Sequence, residues 1–316
     1  MILSHQEMKK MINALKEKIR EYFAGKEEVV TNLLICLLSG GHVLLEDVPG
    51  VGKTTLARTL AGAMSCDFGR IQFTPDTLPG DVTGTSVYNM KTGEFSYREG
   101  AVMHQVILAD EINRTSPKTQ ASLLEAMAEG QVTVDGKTYP LPAPFIVIAT
   151  QNPVEFLGTY PLPEAQMDRF MMKLSIGYPS DAEEIRLAKN FLSGKTVEKA
   201  APVCTSEDIL KMRSEVEKVH LSDGVTEYAR EIISITREDE NFVIGASPRA
   251  MLALIRASQA KAYLAGRDFV KPDDVKAVTV NVLHHRLSLT SEAKMRRESV
   301  DRLLTGLVLK AKIPME

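Results

Sequence analysis

A short stretch near the start of the chain, "DVPGVGKTT", carries residue types that bind phosphate. Gly50 and Gly52 have no side chains, so successive backbone N–H groups can close on phosphate oxygens. Lys53 supplies a cation for the β- and γ-phosphates, and the Thr54 hydroxyl supplies a ligand for Mg²⁺. We therefore predict an ATP site with bound Mg²⁺, contacted by this set of residues: Asp47, Pro49, Gly50, Val51, Gly52, Lys53, Thr54 and Thr55.

The stretch departs from the phosphate-loop motif G-x-x-x-x-G-K-[ST] at one position, where Asp47 replaces the first glycine. That glycine serves a backbone turn that can require a positive φ. Aspartate is among the few other residues that adopt the left-handed region with tolerable strain. We expect Asp47 to keep the turn in this way, and its position at the start of the loop need not place its carboxylate against phosphate.

A second chemical signal is the apolar run "VILADE", which ends in Asp110 and Glu111. Carboxylates at the carboxyl end of a strand lie beside the phosphate loop in parallel sheets, where ligands bind. Asp110 is predicted to hold Mg²⁺ through water, and Glu111 to orient and deprotonate the attacking water. An acidic pair after an apolar run is common by itself, but together with a phosphate loop it is a strong signal.

These residues require a parallel sheet to position them. Apolar runs alternate with helical patterns over the first 178 residues, which is typical of an α/β domain with a parallel sheet flanked by helices. Five strands are predicted, and the helix after the phosphate loop spans 54–64. The strands are His42–Glu46, Arg70–Phe73, Gln105–Asp110, Phe145–Thr150 and Met171–Ile176.

Two insertions interrupt this alternation. Residues 74–101 are rich in Gly, Pro and Thr and are too long for an ordinary connection, so we expect a functional excursion. Asp135-Gly136, at the centre of "GQVTVDGKTYPL", is a strong hairpin-turn signal.

The rest of the chain, 179–316, has almost entirely helical patterns and is predicted to form a small α-helical domain. Ser180 and Glu183 have the spacing of a capping box, so a helix is expected to start there. A further helix is expected to begin at Ser247-Pro248 and to end at Gly266.

Composition limits the class of protein. The chain has 316 residues and a formal net charge of -3, which gives no reason to expect nucleic-acid or membrane binding. The three cysteines have no metal-type spacing, and their odd number argues against a disulfide framework, which favours a cytoplasmic protein. The N-terminal stretch is interrupted by charge every few residues, so we expect neither a signal peptide nor a membrane span.

Several long blocks resemble the MoxR family of AAA+ ATPases, and the resemblance covers nearly the whole chain. The blocks are "EDVPGVGKTTLA", "RIQFTPDTLPGDVTG", "VILADEINRTSPKTQASLLEAMAEGQVTVDG", "FIVIATQNPVEFLGTYPLPEAQMDRFMM" and "GASPRA". The resemblance implies an AAA+ core with a helical lid, assembled as a homo-oligomeric ring that is expected to be a hexamer. Aspartate also replaces the first loop glycine often in this family.

The family resemblance implies three further site residues. Asn152 is similar to sensor 1, whose amide positions the attacking water near the γ-phosphate. Arg169 is similar to the arginine finger, which reaches the nucleotide of the neighbouring subunit. Arg249 is similar to sensor 2, on the lid. The role of Arg114, in the block "EINRT", stays open, as does whether the two insertions face the pore of the ring or a partner.

The function implied by the resemblance is Mg²⁺-dependent ATP hydrolysis coupled to remodelling or maturation of a protein complex, with a protein client or a von Willebrand factor A domain protein as partner. A magnesium-chelatase-like motor subunit is an alternative with much the same architecture. A DNA-acting AAA+ motor is an alternative of another class, which the acidic net charge and the lack of a basic arm weigh against.

Overall fold

The computed structural model describes residues 5–152, 159–194 and 201–313. Residues 153–158, in the middle of one block of the family resemblance, lie outside the described residues. The strands are β1 Val43–Glu46, β2 Phe68–Gln72, β3 Gly84–Asn89, β4 Glu94–Glu99, β5 Val106–Asp110, β6 Gln131–Val134, β7 Lys137–Pro140, β8 Ile146–Gln151, β9 Met172–Leu174, β10 Phe242–Ile244 and β11 Ser288–Leu289. The helices are α1 His5–Tyr22, α2 Glu27–Leu38, α3 Lys53–Ala63, α4 Pro79–Thr83, α5 Pro117–Glu129, α6 Glu164–Met167, α7 Asp181–Leu192, α8 Ser206–Glu217, α9 Asp223–Glu238, α10 Pro248–Leu264, α11 Pro272–Leu283, α12 Ser291–Met295 and α13 Val300–Lys310.

The predicted five-stranded sheet is confirmed. Its strands lie in the order β2-β5-β8-β1-β9, and every neighbouring pair is parallel. β1 and β5 are almost wholly buried, which explains why their sequences are continuous apolar runs. The predicted strand bounds differ from the observed ones by one or two residues. The phosphate loop follows β1, the acidic pair lies at the end of β5, and Asn152 follows β8. These are the three central strands of the sheet, so the three groups lie together at its carboxyl end.

The two insertions both form antiparallel hairpins. Residues 74–101 contain the short helix α4 and the hairpin of β3 with β4, so this excursion is largely regular rather than a loop. β6 and β7 pair across Asp135 and Gly136, whose φ values are 49° and 75°, as the predicted turn requires. What the two hairpins contact in an assembly stays a prediction.

Helices dominate the chain beyond β9, and they share a core with the sheet. The capping box predicted at Ser180 is present, and the backbone N–H of Ser180 donates to the Glu183 carboxylate at 2.9 Å. One hydrophobic cluster extends from α1 and α2 through β1 to α9, α10, α11 and α13. The second part is therefore packed directly on the first, and a division at residue 178 stays a prediction. None of the helices in the described ranges is long and apolar enough to cross a membrane.

Candidate nucleotide site

The phosphate loop lies between β1 and α3, in the strand–loop–helix order that its motif requires. Gly50 and Gly52 have φ values of 87° and 91°, in the left-handed region that favours glycine. A Cβ atom at Gly50 would meet nothing within 4 Å, so its backbone conformation, and not a lack of space, requires glycine there. Gly52 is the N-cap of α3, so the positive end of that helix is directed at the loop.

The loop borders a cavity of about 370 Å³. We call it the phosphate-loop cavity. It is lined by residues from the loop, from the start of α3, from the middle of β2 and from the carboxyl ends of β5 and β8. They are Pro49, Gly50, Gly52, Lys53, Thr54, Thr55, Arg70, Asp110, Glu111 and Asn152. Two residues of the predicted set, Asp47 and Val51, do not line it, and both are buried.

The backbone conformation predicted for Asp47 is wrong, and its side-chain contacts explain the aspartate instead. Among the described residues, positive φ at non-glycine positions occurs at Ser65, Glu111, Asp135 and Arg297, so Asp47 does not have the left-handed conformation expected of it. Its buried carboxylate instead accepts hydrogen bonds from the chain that follows β9. The donors are the Ser175 hydroxyl at 2.9 Å, the Ile176 N–H at 2.7 Å and the Gly177 N–H at 2.9 Å. These contacts direct the carboxylate to the chain after β9, and Asp47 does not line the phosphate-loop cavity.

Lys53 is half-buried at the start of α3. Its Nζ donates to the backbone carbonyl of Asp47 at 2.8 Å. Burial lowers the pKa of the Lys53 ammonium group, and the carboxylates of Asp47, Asp110 and Glu111 act in the opposite direction. The acidic residues around the cavity therefore favour the charged form that binding a triphosphate requires.

The acidic pair is held by groups that the sequence did not identify. Asp110 accepts from the Thr150 hydroxyl at 2.7 Å and from the Arg70 guanidinium, also at 2.7 Å. Arg70 and Gln72 lie on the edge strand β2, where Gln72 is in register with Asp110. Arg70 therefore neutralises the carboxylate that we predicted as a Mg²⁺ ligand.

Glu111 has a strained backbone, and its side chain accepts two hydrogen bonds. Its φ is 57°, a conformation that costs a non-glycine residue free energy and occurs preferentially at functional sites. One carboxylate oxygen accepts from the Gln72 amide at 2.9 Å and from the Arg114 guanidinium at 3.0 Å. The open question about Arg114 thus has a structural answer, because Arg114 pairs with the predicted catalytic carboxylate.

Asn152 follows β8, the strand between β5 and β1. Its side chain is buried, and the residue lines the phosphate-loop cavity together with Lys53 and Glu111. An amide in this place can hold a water molecule between the acidic pair and the loop.

Arg169 and Arg249 do not line the phosphate-loop cavity. They lie together at a second cavity of about 360 Å³, which we call the arginine cavity and which also includes Arg256 and Arg286. One nitrogen of Arg169 donates to the backbone carbonyl of Leu124 at 2.6 Å. In the described part of the chain, every residue that lines the phosphate-loop cavity lies between Pro49 and Asn152, so none comes from the helical part.

The arginine cavity is built on an ion pair between the buried Arg286 guanidinium and the partly exposed Asp168 carboxylate, which joins the two parts of the chain. The Arg286 guanidinium donates to the Asp168 carboxylate at 2.7 Å and to the Phe170 carbonyl, also at 2.7 Å. The hydroxyl of Ser247, the N-cap of α10, donates to the same carboxylate at 3.1 Å. Since Asp168 precedes Arg169, and Ser247 is two residues before Arg249, this network fixes both predicted arginines on one surface.

Comparison with known proteins gives consistent matches. Residues 42–172 match the model of the ATPase family associated with various cellular activities (AAA), and residues 234–306 match the model of the AAA lid domain. The chain is 48% identical to Bacillus subtilis (strain 168) YeaC over 98% of this chain and 97% of that protein. It is 41% identical to the chaperone MoxR1 of Mycobacterium tuberculosis over 87% of this chain and 75% of that protein. A crystal structure from Cytophaga hutchinsonii ATCC 33406 has a TM-score of 0.92 and 39% identity, and covers 98% of this chain and 97% of its own.

Proposed function

Because the chain belongs to the MoxR family of AAA+ ATPases, we propose that it hydrolyses Mg-ATP at sites shared between neighbouring subunits of a ring. The observation that carries the proposal is the separation of the two cavities. Among the residues that the structure describes, the phosphate-loop cavity has the groups that hold a triphosphate but no arginine from the helical part. Within the same described ranges, the arginine cavity has the predicted arginine finger and sensor 2 residue but no residue of the phosphate loop.

The loop residues fit a triphosphate with bound Mg²⁺. Phosphate oxygens can be bound by three features of this loop: the backbone N–H groups at Gly50 and Gly52, the N-terminus of α3, and the Lys53 ammonium group. The Thr54 hydroxyl and the Asp110 carboxylate are the oxygen donors that Mg²⁺ prefers. Bound Mg²⁺ would neutralise the charge that develops on the phosphates during their transfer.

Arg70 would compete with Mg²⁺ for Asp110, because its guanidinium lies 2.7 Å from one carboxylate oxygen and neutralises part of the negative charge. Thr150 donates to the other oxygen of Asp110 and orients the carboxylate that would hold Mg²⁺ through water.

Glu111 is proposed to orient the attacking water and to take its proton. Gln72 and Arg114 both donate to Oε2 of this carboxylate, so Oε1 is the oxygen proposed to take the proton. Asn152 is proposed to hold the same water from the opposite side through its amide. The left-handed backbone at Glu111 directs the residue out of the line of β5, which is the geometric reason that its side chain lies over the cavity.

Arg169 and Arg249 are proposed to reach the nucleotide of the neighbouring subunit. An arginine that approaches the transferring phosphoryl group stabilises the charge in the transition state, and this contribution is large. The ring, which we propose to be a hexamer, forms by head-to-tail contacts of the phosphate-loop surface with the arginine surface.

Hydrolysis is proposed to drive chaperone-like remodelling of a protein complex in the cytoplasm. The partner would be a protein client or a von Willebrand factor A domain protein. The similarity to the chaperone MoxR1 supports this part of the proposal. We also propose that the chain divides at 178/179 into the nucleotide-binding core and the helical lid, because β9 ends at Leu174 and α7 begins at Asp181.

A single substitution tests the catalytic assignment. Glu111→Gln keeps the size of the side chain but removes the base, so it should bind Mg-ATP with nearly normal affinity and hydrolyse it about 10²–10⁴-fold more slowly. Calorimetry measures the affinity, and release of inorganic phosphate measures the rate. Glu125→Gln on the exposed surface of α5 is the matched control and should behave as the wild type does. Normal turnover by Glu111→Gln would refute the assignment.

A further inference from the structure

The residue that departs from the phosphate-loop motif links the loop to the start of the helical part. Asp47 has 5% of its surface exposed, so its carboxylate is almost wholly removed from water. Burial of a carboxylate is costly unless hydrogen bonds replace its hydration. Three donors do so, and all three lie in one tripeptide, Ser175–Gly177.

This tripeptide lies between the sheet and the helical part of the chain. It follows β9, the edge strand of the sheet, and it precedes α7, which opens the helical part. Gly177 has a φ of 69°, so the chain turns away from the sheet at this point. We call residues 175–177 the junction segment.

The carboxylate replaces backbone pairing that β1 can no longer supply. In the register of β1 with β9, Leu45 is opposite Leu174, which would put Asp47 opposite Ile176. The backbone of β1 leaves the sheet after Glu46 to form the phosphate loop. The Asp47 side chain then accepts the N–H groups of Ile176 and Gly177, and a glycine at position 47 would have no side-chain acceptor for them.

The backbone of the same residue contacts the nucleotide-binding groups. The carbonyl of Asp47 accepts from the Lys53 ammonium group at 2.8 Å, and its N–H donates to the Gln151 carbonyl at 3.4 Å, next to Asn152. A single residue therefore contacts the phosphate-binding lysine through its main chain and the junction segment through its side chain.

We propose that Asp47 is a positioning residue that couples the phosphate loop to the junction segment, so that nucleotide in the loop sets the orientation of the helical part. This inference rests on the proposed function, because it assumes that the loop binds Mg-ATP. It goes beyond that function by assigning to the aspartate a task that the glycine of the general motif cannot perform. The phosphate loop itself should bind nucleotide without this carboxylate.

The decisive variant is Asp47→Gly, which restores the glycine of the general motif. If Asp47 only shaped the loop, the variant would bind and hydrolyse Mg-ATP as the wild type does. The coupling predicts a different result: the dissociation constant of Mg-ATP stays within about threefold, while kcat falls about tenfold, a factor typical of coupling between two sites.

A distance measurement reports the coupling directly. Spin labels at the exposed positions Lys118 on α5 and Leu309 on α13 report the separation of the sheet from the helical part. Cys66 is replaced by serine in this background, since Cys36 and Cys204 are buried. A slowly hydrolysed ATP analogue with Mg²⁺ should shift the label distance in the wild-type chain and leave it unshifted in Asp47→Gly.

Two further variants protect the test against misfolding of Asp47→Gly. Ser175→Ala removes one donor and leaves both backbone donors, so it should retain the distance shift and most of the activity. Asp47→Asn retains one acceptor oxygen and presents an N–H group where the other oxygen was. It should lose most of the shift, and it decides the question if the glycine variant does not fold.

Three outcomes would overturn the inference. The first is an Asp47→Gly variant that moves and hydrolyses like the wild type, and the second is one that loses Mg-ATP affinity by tenfold or more. The third is a wild-type chain that binds the analogue without any change in label distance. Failure of the proposed function has a different signature, because the wild-type chain itself would then neither bind nor hydrolyse Mg-ATP.

Discussion

Mixing two inactive variants tests whether each catalytic site is shared between subunits. Lys53 and Glu111 lie at the phosphate-loop cavity, and Arg169 and Arg249 lie at the arginine cavity. If one subunit supplies the first cavity and its neighbour supplies the second, a subunit damaged at one cavity is intact at the other. Two variants damaged at different cavities should therefore restore activity when they assemble together.

The size of the recovery follows from the geometry of a head-to-tail ring. Loss of an arginine finger costs about a thousandfold or more in rate, and loss of a general base costs about 10²–10⁴-fold, so each parent ring is nearly inactive. In a random equimolar mixture of Glu111→Gln with Arg169→Ala, about half of the subunits have an intact loop side, and about half of their neighbours have an intact arginine side. Hydrolysis per subunit should therefore return to about one quarter of the wild-type rate.

The controls come from pairs that the same geometry forbids. Lys53→Ala with Glu111→Gln damages the loop side of every subunit, and Arg169→Ala with Arg249→Ala damages the arginine side of every subunit. Neither pair should recover. Arg249→Ala with Glu111→Gln should recover, because the two residues lie at different cavities.

The assay measures release of inorganic phosphate after the two variants have assembled together, at increasing total protein concentration. Absence of recovery in the pair of Glu111→Gln with Arg169→Ala would refute the shared site and would mean that Arg169 acts within its own subunit or not at all. If Arg249→Ala recovered with Arg169→Ala but not with Glu111→Gln, Arg249 would act on the nucleotide of its own subunit.

Two further predictions follow from single groups. Lys53→Ala removes the cation that faces the triphosphate and should weaken Mg-ATP binding about one hundredfold, as calorimetry would measure, since a hydrogen bond between charged groups contributes up to about 3 kcal/mol. Lys91→Ala on the exposed β3–β4 hairpin should bind normally, and tight binding by Lys53→Ala would remove the lysine from the site. Arg286→Ala removes the buried guanidinium from the Asp168 carboxylate, which keeps the Ser247 hydroxyl, and from the Phe170 carbonyl, which keeps His285, so urea unfolding should show a loss of about 1–3 kcal/mol. Arg230→Ala, at an exposed ion pair with Glu227, should leave the unfolding midpoint unchanged. An unchanged midpoint for Arg286→Ala as well would show that its pair with Asp168 does not hold the two parts together.

The sheet and the phosphate loop were predictable because their signals are local. A buried parallel strand is an apolar run, and β1, β5 and β8 each show one. The positive φ values of Gly50 and Gly52 follow from the loop motif. These features depend on neighbours in sequence, so the sequence alone indicates them.

Partners that are distant in sequence were not predictable. Arg70 and Gln72 were assigned only to a strand, because alternate polar residues on a strand are also what a solvent-exposed face requires. Their contacts with Asp110 and Glu111 depend on β2 pairing with β5, 40 residues away, in one particular register. A search for polar residues in the strands next to the acidic pair would have found them once the strand order was known.

The partners of Asp47 are also distant in sequence and were not predicted. Reasoning from its own backbone explained the aspartate by its tolerance of positive φ, which was wrong, because its partners lie 128 to 130 residues away. The ion pair of Asp168 with Arg286 spans 118 residues and was missed for that reason. Asp47 joins the phosphate loop to the junction segment, and Asp168 joins the sheet-containing part to the helical part.

The single chain keeps its reactive groups engaged with one another. Arg70 neutralises Asp110, Arg114 and Gln72 hold Glu111, and Arg169 donates to a backbone carbonyl. Under the proposed function, Mg²⁺, water or a neighbouring phosphate would compete with these bonds. Because a neighbouring subunit is proposed to supply the phosphate for Arg169, an isolated subunit should hydrolyse ATP slowly, and the rate per subunit should rise with protein concentration as rings form. A rate per subunit that is high and independent of concentration down to the monomer would contradict this account of both cavities.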